Sequence, residues 1–518
     1  MKNLDKYIKI RNEFGEKLKD KAYKAELTAW DFYTNSTQEN LAKFTQAQED
    51  VSDLYKDKQT YEELKKIQKI GLNEKHSDKQ LRDLIKNFYE EIDSGKELKI
   101  LRDKESEISQ KYNSYTMTID GKKISKAEII KILETEKNPQ IRKKAYDANV
   151  KAGDVIANDL KELIILRNKF AKQKGYSNYY NYMLETAYDI KGEELEQILN
   201  KVYSKIGLKC RELYRFNQNE LAKSFGTDIE NLYDYHYGLL GENNPEKKVN
   251  SYLKTKELII DTAKQTYKQM GFDVNNMGIT LDLFPRENKN THGFAFCIKP
   301  GQDARILANL TNNVKSLDTL LHEMGHCVYD IGIDTRLPFL DQDSSSAVMT
   351  EAIAMMMGDL VKAENILSGI VPDTDLKPFM AKLKEDDAKF VTRCLQIINF
   401  ESEMYKNPNQ DLKLLWKQMK EKFLYRNSNT EINNEWATIP HYLSHPGYYQ
   451  NYFRAGLLKV QIYNSMKKEL GDITKNSKSA DFLNNRLFKY GCSIYEQELI
   501  QNLTGKPLTE DDFCNRIV

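Results

Sequence analysis

The chain has 518 residues, and its 78 lysines and arginines nearly cancel 77 aspartates and glutamates, leaving a net charge of +1. Hydrophobic residues make up 40% and aromatic residues 10%, enough for a sizeable core, which excludes wholesale disorder. The near-neutral balance argues against a strongly basic nucleic-acid surface, and no apolar run approaches the ~20 residues needed to span a bilayer. At the start, Lys2, Asp5, Lys6 and Lys9 interrupt the apolar residues, so the uninterrupted stretch of a secretory leader is missing. The six cysteines (Cys210, Cys297, Cys327, Cys394, Cys492 and Cys514) are sparse and contain no C-x-x-C pair. They read as reduced, mostly buried thiols and point to a cytoplasmic protein; the alternative is export by a leader outside this numbering.

In chain order, residues 1–115 read as long, charged helices, with Leu54, Tyr61, Leu64 and Ile67 on one side. Charge runs such as Lys56-Asp57-Lys58 are solvated helix faces. One clear strand follows much later, Gly293 to Ile298, closed by the turn cluster Lys299 to Asp303; Arg305 to Ala308 is its candidate hairpin partner. A helix begins near Ser316, with Leu317, Leu320, Leu321 and Met324 at helical spacing. Ser344 to Ser346 supply the start of another, and Asn407-Pro408-Asn409 is a loop between helices. There is no repeat or domain-sized composition break. The expectation is one domain over 1–518, mostly α-helical with a small β ribbon, in which 1–115 forms an N-terminal helical region.

The decisive stretch is His322-Glu323-Met324-Gly325-His326. Histidines four apart project from one helix face, one turn from each other, so both imidazoles can reach one metal ion at ~2.0–2.1 Å. Glu323 points elsewhere and is placed to take a proton from the attacking water. A catalytic zinc needs a third protein ligand and an open position. Glu351, on an apolar helix that otherwise has little reason to bury a carboxylate, is the candidate. With only seven histidines in the chain, accident is a poor account of this spacing. Five of the seven (292, 322, 326, 441 and 445) fall in three motif-like segments.

Thr291 to Phe296 is an extended segment that could pair with a peptide by strand addition. Trp436 to Phe453 contains His441, His445, Tyr442, Tyr448, Tyr449 and Tyr452. Peptide hydrolysis builds negative charge on the former carbonyl oxygen, and phenols or imidazoles aimed at it stabilise that charge. Core packing is the plain reading of a tyrosine cluster; the paired histidines favour a functional one.

Four segments together resemble the angiotensin-converting enzyme family of zinc peptidases. They are His322 to His326; Glu351-Ala352-Ile353; His292 to Phe296 followed by Gly301 to Ile306; and His441 to Phe453. Weaker echoes lie at Ala29 to Asn35 and Leu503 to Pro507. The resemblance implies a helical ellipsoid of two halves around a deep central channel, an N-terminal helical lid, and the β ribbon beside the zinc site. It implies Zn2+ on His322, His326 and Glu351, with Glu323 as base and then acid. His292 and Ala295 would hold the substrate backbone. Tyr452 would donate to the oxyanion, assisted by His441, and Tyr449 would bind the substrate's carboxylate. The alignment needs one extra residue between His441 and Tyr449, so His441 and His445 both remain candidates for the wall histidine. Three family residues differ: a lysine is Ile439, a chloride-binding arginine is Asn451, and an aspartate that orients a zinc histidine is Met355. Asp318, Asp330 or Asp359 would then supply that second hydrogen bond.

The expected function is a zinc peptidase acting on short peptides, releasing dipeptides from a free C-terminus. The alternative is an oligoendopeptidase cleaving internally, which the loss of the lysine at Ile439 permits. The expected partners are short peptides, with no nucleic acid or membrane and a monomeric state.

Overall fold

The computed structural model describes residues 2–92, 95–241 and 244–518. Positions 1, 93 and 94 of the expected N-terminal region lie outside the described residues. From the N-terminus run α1 (Lys2–Thr34), α2 (Gln38–Ser52), α3 (Lys58–Ile70), α4 (Lys75–Ile92) and α5 (Gly95–Ser114). A short ribbon, β1 (Thr118–Ile119) and β2 (Lys122–Lys123), precedes α6 (Lys126–Thr135), α7 (Pro139–Gln173), α8 (Tyr179–Ala187) and α9 (Gly192–Ser224). Then come α10 (Pro245–Asn250), α11 (Lys256–Gln269), β3 (Ile279–Asp282), β4 (Phe294–Lys299) and β5 (Asp303–Leu307). The rest is helical: α12 (Val314–Gly332), α13 (Ala347–Ala363), α14 (Asp373–Met380), α15 (Leu383–Lys406), α16 (Leu412–Phe423), α17 (Pro440–Ser444), α18 (Tyr449–Leu470), α19 (Lys478–Arg486), α20 (Glu496–Thr504) and α21 (Asp511–Ile517). The mainly α expectation therefore holds.

The chain divides into two compact units: Met1–Gly95, Pro245–Leu383 and Ala455–Asp512 make the first, and Lys96–Asn244, Lys384–Arg454 and Phe513–Val518 the second. Helices α1 to α4 belong to the first unit and α5 beyond Gly95 to the second.

In the first unit, α3 is amphipathic as its spacing dictates. Tyr61, Leu64 and Ile67 are buried on one face, with Leu54 packed against the same cluster. The strand order is β3-β5-β4, with β3 parallel and β4 antiparallel to β5. The hairpin was legible, because alternating Phe296 and Ile298 are the buried residues of β4 and Gly301 takes φ +70° in its turn. The four residues of β3 were too few to betray a period. On α1, Trp30 meets Phe296 edge-on at 5.5 Å, and Tyr33 lies 5.5 Å from Phe294. The buried ammonium of Lys289 donates to Asp282, Phe284 and Ala308 oxygens at 2.7–3.0 Å, tying the segment before His292 to the sheet.

The second unit is organised by α7, which starts at Pro139 behind an Asn138 cap. Arg142, with no exposed surface, donates to the carbonyls of Leu133, Glu136, Tyr235, His236 and Tyr237. Buried Lys420 bridges Asp234 at 3.0 Å and Glu435 at 2.8 Å. The rings of Phe400, Trp416, Trp436 and Tyr442 pack together beneath α17. The β1–β2 ribbon, missed from the sequence, carries the turn pair Asp120-Gly121, both at positive φ, which is a hairpin signal in its own right.

Candidate active site

Two helices of the first unit carry the metal motif. Asn313 caps α12 by accepting the Ser316 amide at 2.8 Å. Leu317, Leu320, Leu321, Met324, Cys327 and Val328 bury its apolar face. Ser346, last of the serine triplet, caps α13 by accepting the Met349 amide at 3.2 Å. The two helices approach closely through glycine: a Cβ on Gly325 would sit 2.9 Å from Ala354 Cα, and one on Gly358 would collide with the Asp318 carboxylate. The glycine of the motif thus lets the two histidines face the acid on the neighbouring helix.

The rings of His322 and His326 lie 5.0 Å apart at 81°. His322 Nε2 is 3.8 Å from Glu351 Oε2. Candidate ligand atoms of all three residues fall within 4.8 Å of one another, and among the described residues no other such trio of His, Cys, Asp or Glu occurs. Donors at ~2.0–2.1 Å from one tetrahedral ion would be about 3.4 Å apart, so only small side-chain adjustments are needed.

The electrostatics suit a cation. Burial, then the Lys459 charge, lowers the His322 pKa to about 4; burial, then His322, lowers that of His326 to about 3. Both imidazoles are therefore neutral near pH 7 with lone pairs to give. Burial raises Glu351 to about 7, a carboxylate in want of a positive partner. Glu323 is raised to about 8 by burial first and by the Glu351 charge second, against an amide hydrogen bond from Ala295. These donors fit a zinc ion.

His326 Nδ1 lies 2.8 Å from the Thr350 hydroxyl. Donation there leaves Nε2 free as the ligand atom. For His326 this partner is the hydroxyl of Thr350, the residue before Glu351, and nothing in the spacing marks it; Asp318, Asp330 and Asp359 stay the candidates for His322. Asp359 pairs with buried Lys459 at 2.8 Å, and both charges bear on His322.

β4 is an edge strand of its sheet, and a Cβ on Gly293, the residue before it, would lie 3.6 Å from Glu323 Oε1, so the strand starts beside the proposed base. His292 is exposed, its amide donating to Asn290 Oδ1 at 2.9 Å. The Ala295 amide is directed at Glu323.

In the second unit, α17 and α18 bring His441 against Tyr449, Tyr452 and Tyr448, with ring centres at 4.8, 5.8 and 5.9 Å. His445 is exposed, 2.7 Å from the Ser444 hydroxyl through Nδ1 and 6.2 Å from the His441 ring. Burial, then His445, lowers the His441 pKa to about 4. His441 Nδ1 is buried with no hydrogen-bond partner among the described residues. Ile439 and Asn451 are buried.

Residues 132–518 match the model described as Peptidase family M3. The chain belongs to peptidase family M3. M3 is a family of zinc metallopeptidases. The label drawn from the motifs, the angiotensin-converting enzyme family, thus gives way to M3: the pentapeptide and Glu351 specify zinc chemistry but leave the family open. The chain is 22% identical over 391 residues to "Oligoendopeptidase F, chromosomal" of Lactococcus lactis subsp. cremoris, covering 71% of this chain and 60% of that protein. It is 21% identical over 410 residues to "Oligoendopeptidase F homolog" of Lactococcus lactis subsp. lactis (strain IL1403), covering 74% and 63%. The alignments therefore span less than two thirds of these relatives' length.

Proposed function

We propose that this M3 member is a zinc oligoendopeptidase that hydrolyses bonds within short peptides. The observation that carries this reading is the meeting of His322, His326 and Glu351 beside Glu323 in a chain whose relatives are named oligoendopeptidases. The dipeptide-releasing expectation has less support. Those names favour internal cleavage, and buried Ile439 replaces the lysine that would anchor a free C-terminus.

His322, His326 and Glu351 would hold the zinc, which when bound supplies Lewis-acid polarisation of the scissile carbonyl and acidifies water. Glu323 takes the proton of the attacking water and returns it to the leaving amine. Tyr452, supported by neutral His441, donates to the developing oxyanion; His445, exposed and turned to Ser444, is the weaker candidate for that support. The outer edge of β4, with His292 and Ala295, pairs with the peptide backbone, and Tyr449 contacts the substrate on its C-terminal side. On this reading residues 1–518 make one peptidase domain. The six free cysteines favour a reducing compartment, and no described helix is long and apolar enough to cross a membrane.

The test compares a peptide with its C-terminally amidated twin, products being identified by mass spectrometry. Internal cleavage at equal rates supports the endopeptidase. Exclusive loss of C-terminal dipeptides, abolished by amidation, overturns it.

A further inference from the structure

The turn between α17 and α18 has a defect written into its sequence. A helix end leaves carbonyls that the next turn must satisfy. The Tyr442 carbonyl would take the amide of residue 446, but that residue is Pro446 and has none. The Leu443 carbonyl would take the amide of Gly447, but Gly447 sits at φ +76° and its amide points away. Two acceptors and one donor are thus stranded in a segment that runs from His441 to Tyr452.

Buried side chains from two other helices take up all three. Arg167 of α7, with 1% of its side chain exposed, donates through Nη1 to the Tyr442 carbonyl at 2.7 Å and through Nη2 to the Leu443 carbonyl. The same guanidinium holds Tyr405 Oη at 3.1 Å and Glu105 Oε1 at 2.6 Å, which fixes its plane. Glu401 of α15, 1% exposed, accepts the Gly447 amide at 2.8 Å. Tyr188 adds a hydroxyl to the Pro446 carbonyl at 3.2 Å, and its ring closes over Gly447, where a Cβ would lie 3.3 Å away.

We infer that Arg167 and Glu401 are positioning residues for peptide hydrolysis, clamping the α17–α18 turn so that His441 and Tyr452 keep their mutual orientation. This rests on the role proposed above for Tyr452. The clamp sets the angle between the short helix that carries His441 and the first turn of the helix that carries Tyr452, whose rings are 5.8 Å apart. Arginine suits the task because its rigid planar fork presents Nη1 and Nη2 to two neighbouring carbonyls in a fixed geometry, whereas a lysine ammonium offers a single flexible point of contact. Small displacements of positioned groups cost large factors in rate.

Zinc-loaded, full-length wild type, Glu401→Leu, Glu401→Gln, Arg167→Lys, Tyr452→Phe and the Glu401→Leu/Tyr452→Phe double variant are compared on an internally quenched peptide. Zinc content and melting midpoint are recorded for each. The Gln amide oxygen still accepts the Gly447 amide; Leu cannot. Glu401→Leu is expected to lower kcat about tenfold or more with KM within about threefold, whereas Glu401→Gln stays within about twofold of wild type. The double variant is expected to lose no more than Tyr452→Phe alone, because a misplaced donor and a missing donor are the same loss. Arg167→Lys should repeat the kcat defect; if it fails to fold, the Glu401 pair and the double variant decide. Unchanged kcat in Glu401→Leu, equal losses in Leu and Gln, or additive losses in the double variant overturn the inference while leaving the oxyanion reading intact. Unchanged kcat in Tyr452→Phe overturns the oxyanion reading and this inference with it.

Discussion

Thr350→Val removes one oxygen from the site and little else. The threonine hydroxyl lies 2.8 Å from His326 Nδ1, next in sequence to the third ligand, and valine keeps its shape. The His326 ring would then present a part-buried N–H with no acceptor, a cost of about 1–3 kcal/mol in a protein interior. Outer partners of metal-bound histidines are worth about 10–100-fold in metal affinity, or about 1.4–2.7 kcal/mol, which agrees with that cost. The variant should therefore bind zinc 10–100-fold more weakly in competition with a chromophoric chelator. At saturating zinc its kcat should recover to within about tenfold of wild type, since Glu323 is untouched. Thr350→Ser, which keeps the hydroxyl, should bind zinc nearly as wild type does. Wild-type zinc affinity in the valine variant would refute the reasoning, because the hydrogen bond would then contribute nothing to holding the ligand.

Other outcomes follow from the same geometry. Glu323→Gln should keep its zinc by metal analysis yet lose peptide turnover; cleavage at the wild-type rate would remove Glu323 from the mechanism. Tyr452→Phe should lower kcat by roughly 10²–10³-fold, the usual loss for one oxyanion donor, and an unchanged kcat would move that role elsewhere. In metal-free protein, Glu323 has its pKa raised to about 8 from 4.5, so the folded state holds a proton that the unfolded state has already released. Stability must then fall as pH rises through this range. The depressed histidines act oppositely, but only below about pH 6.5. Between pH 6.5 and 8, chelator-treated wild type should lose stability by on the order of 1–2 kcal/mol more than Glu323→Gln does, measured by urea unfolding. Parallel curves for the two proteins would contradict the assignment.

Much of this site was readable in the residues. His322, His326 and Glu323 announce themselves because helix geometry converts a spacing of four into a shared face. Glu351 could be found because an acid inside an apolar helix needs a reason. The β4–β5 hairpin was visible because its buried positions alternate and its turn carries Pro300-Gly301. What stayed hidden has physical causes too. The role of Thr350 comes from the crossing of α12 and α13 and has no periodic signature. Strand β3 is too short to show alternation. Arg167 and Glu401 lie more than two hundred residues apart, and their shared role exists only once Pro446 and Gly447 strand the groups between them. The family label slipped because the zinc motif encodes a reaction and says little about lineage.

The central claim is that two imidazoles and the acid of the next helix hold one zinc ion. Metal analysis of gently purified wild type and Glu351→Ala, beside their melting midpoints, tests it most directly. The account predicts about one zinc per folded wild-type chain and only a trace in the folded variant. Full zinc occupancy in folded Glu351→Ala would contradict it.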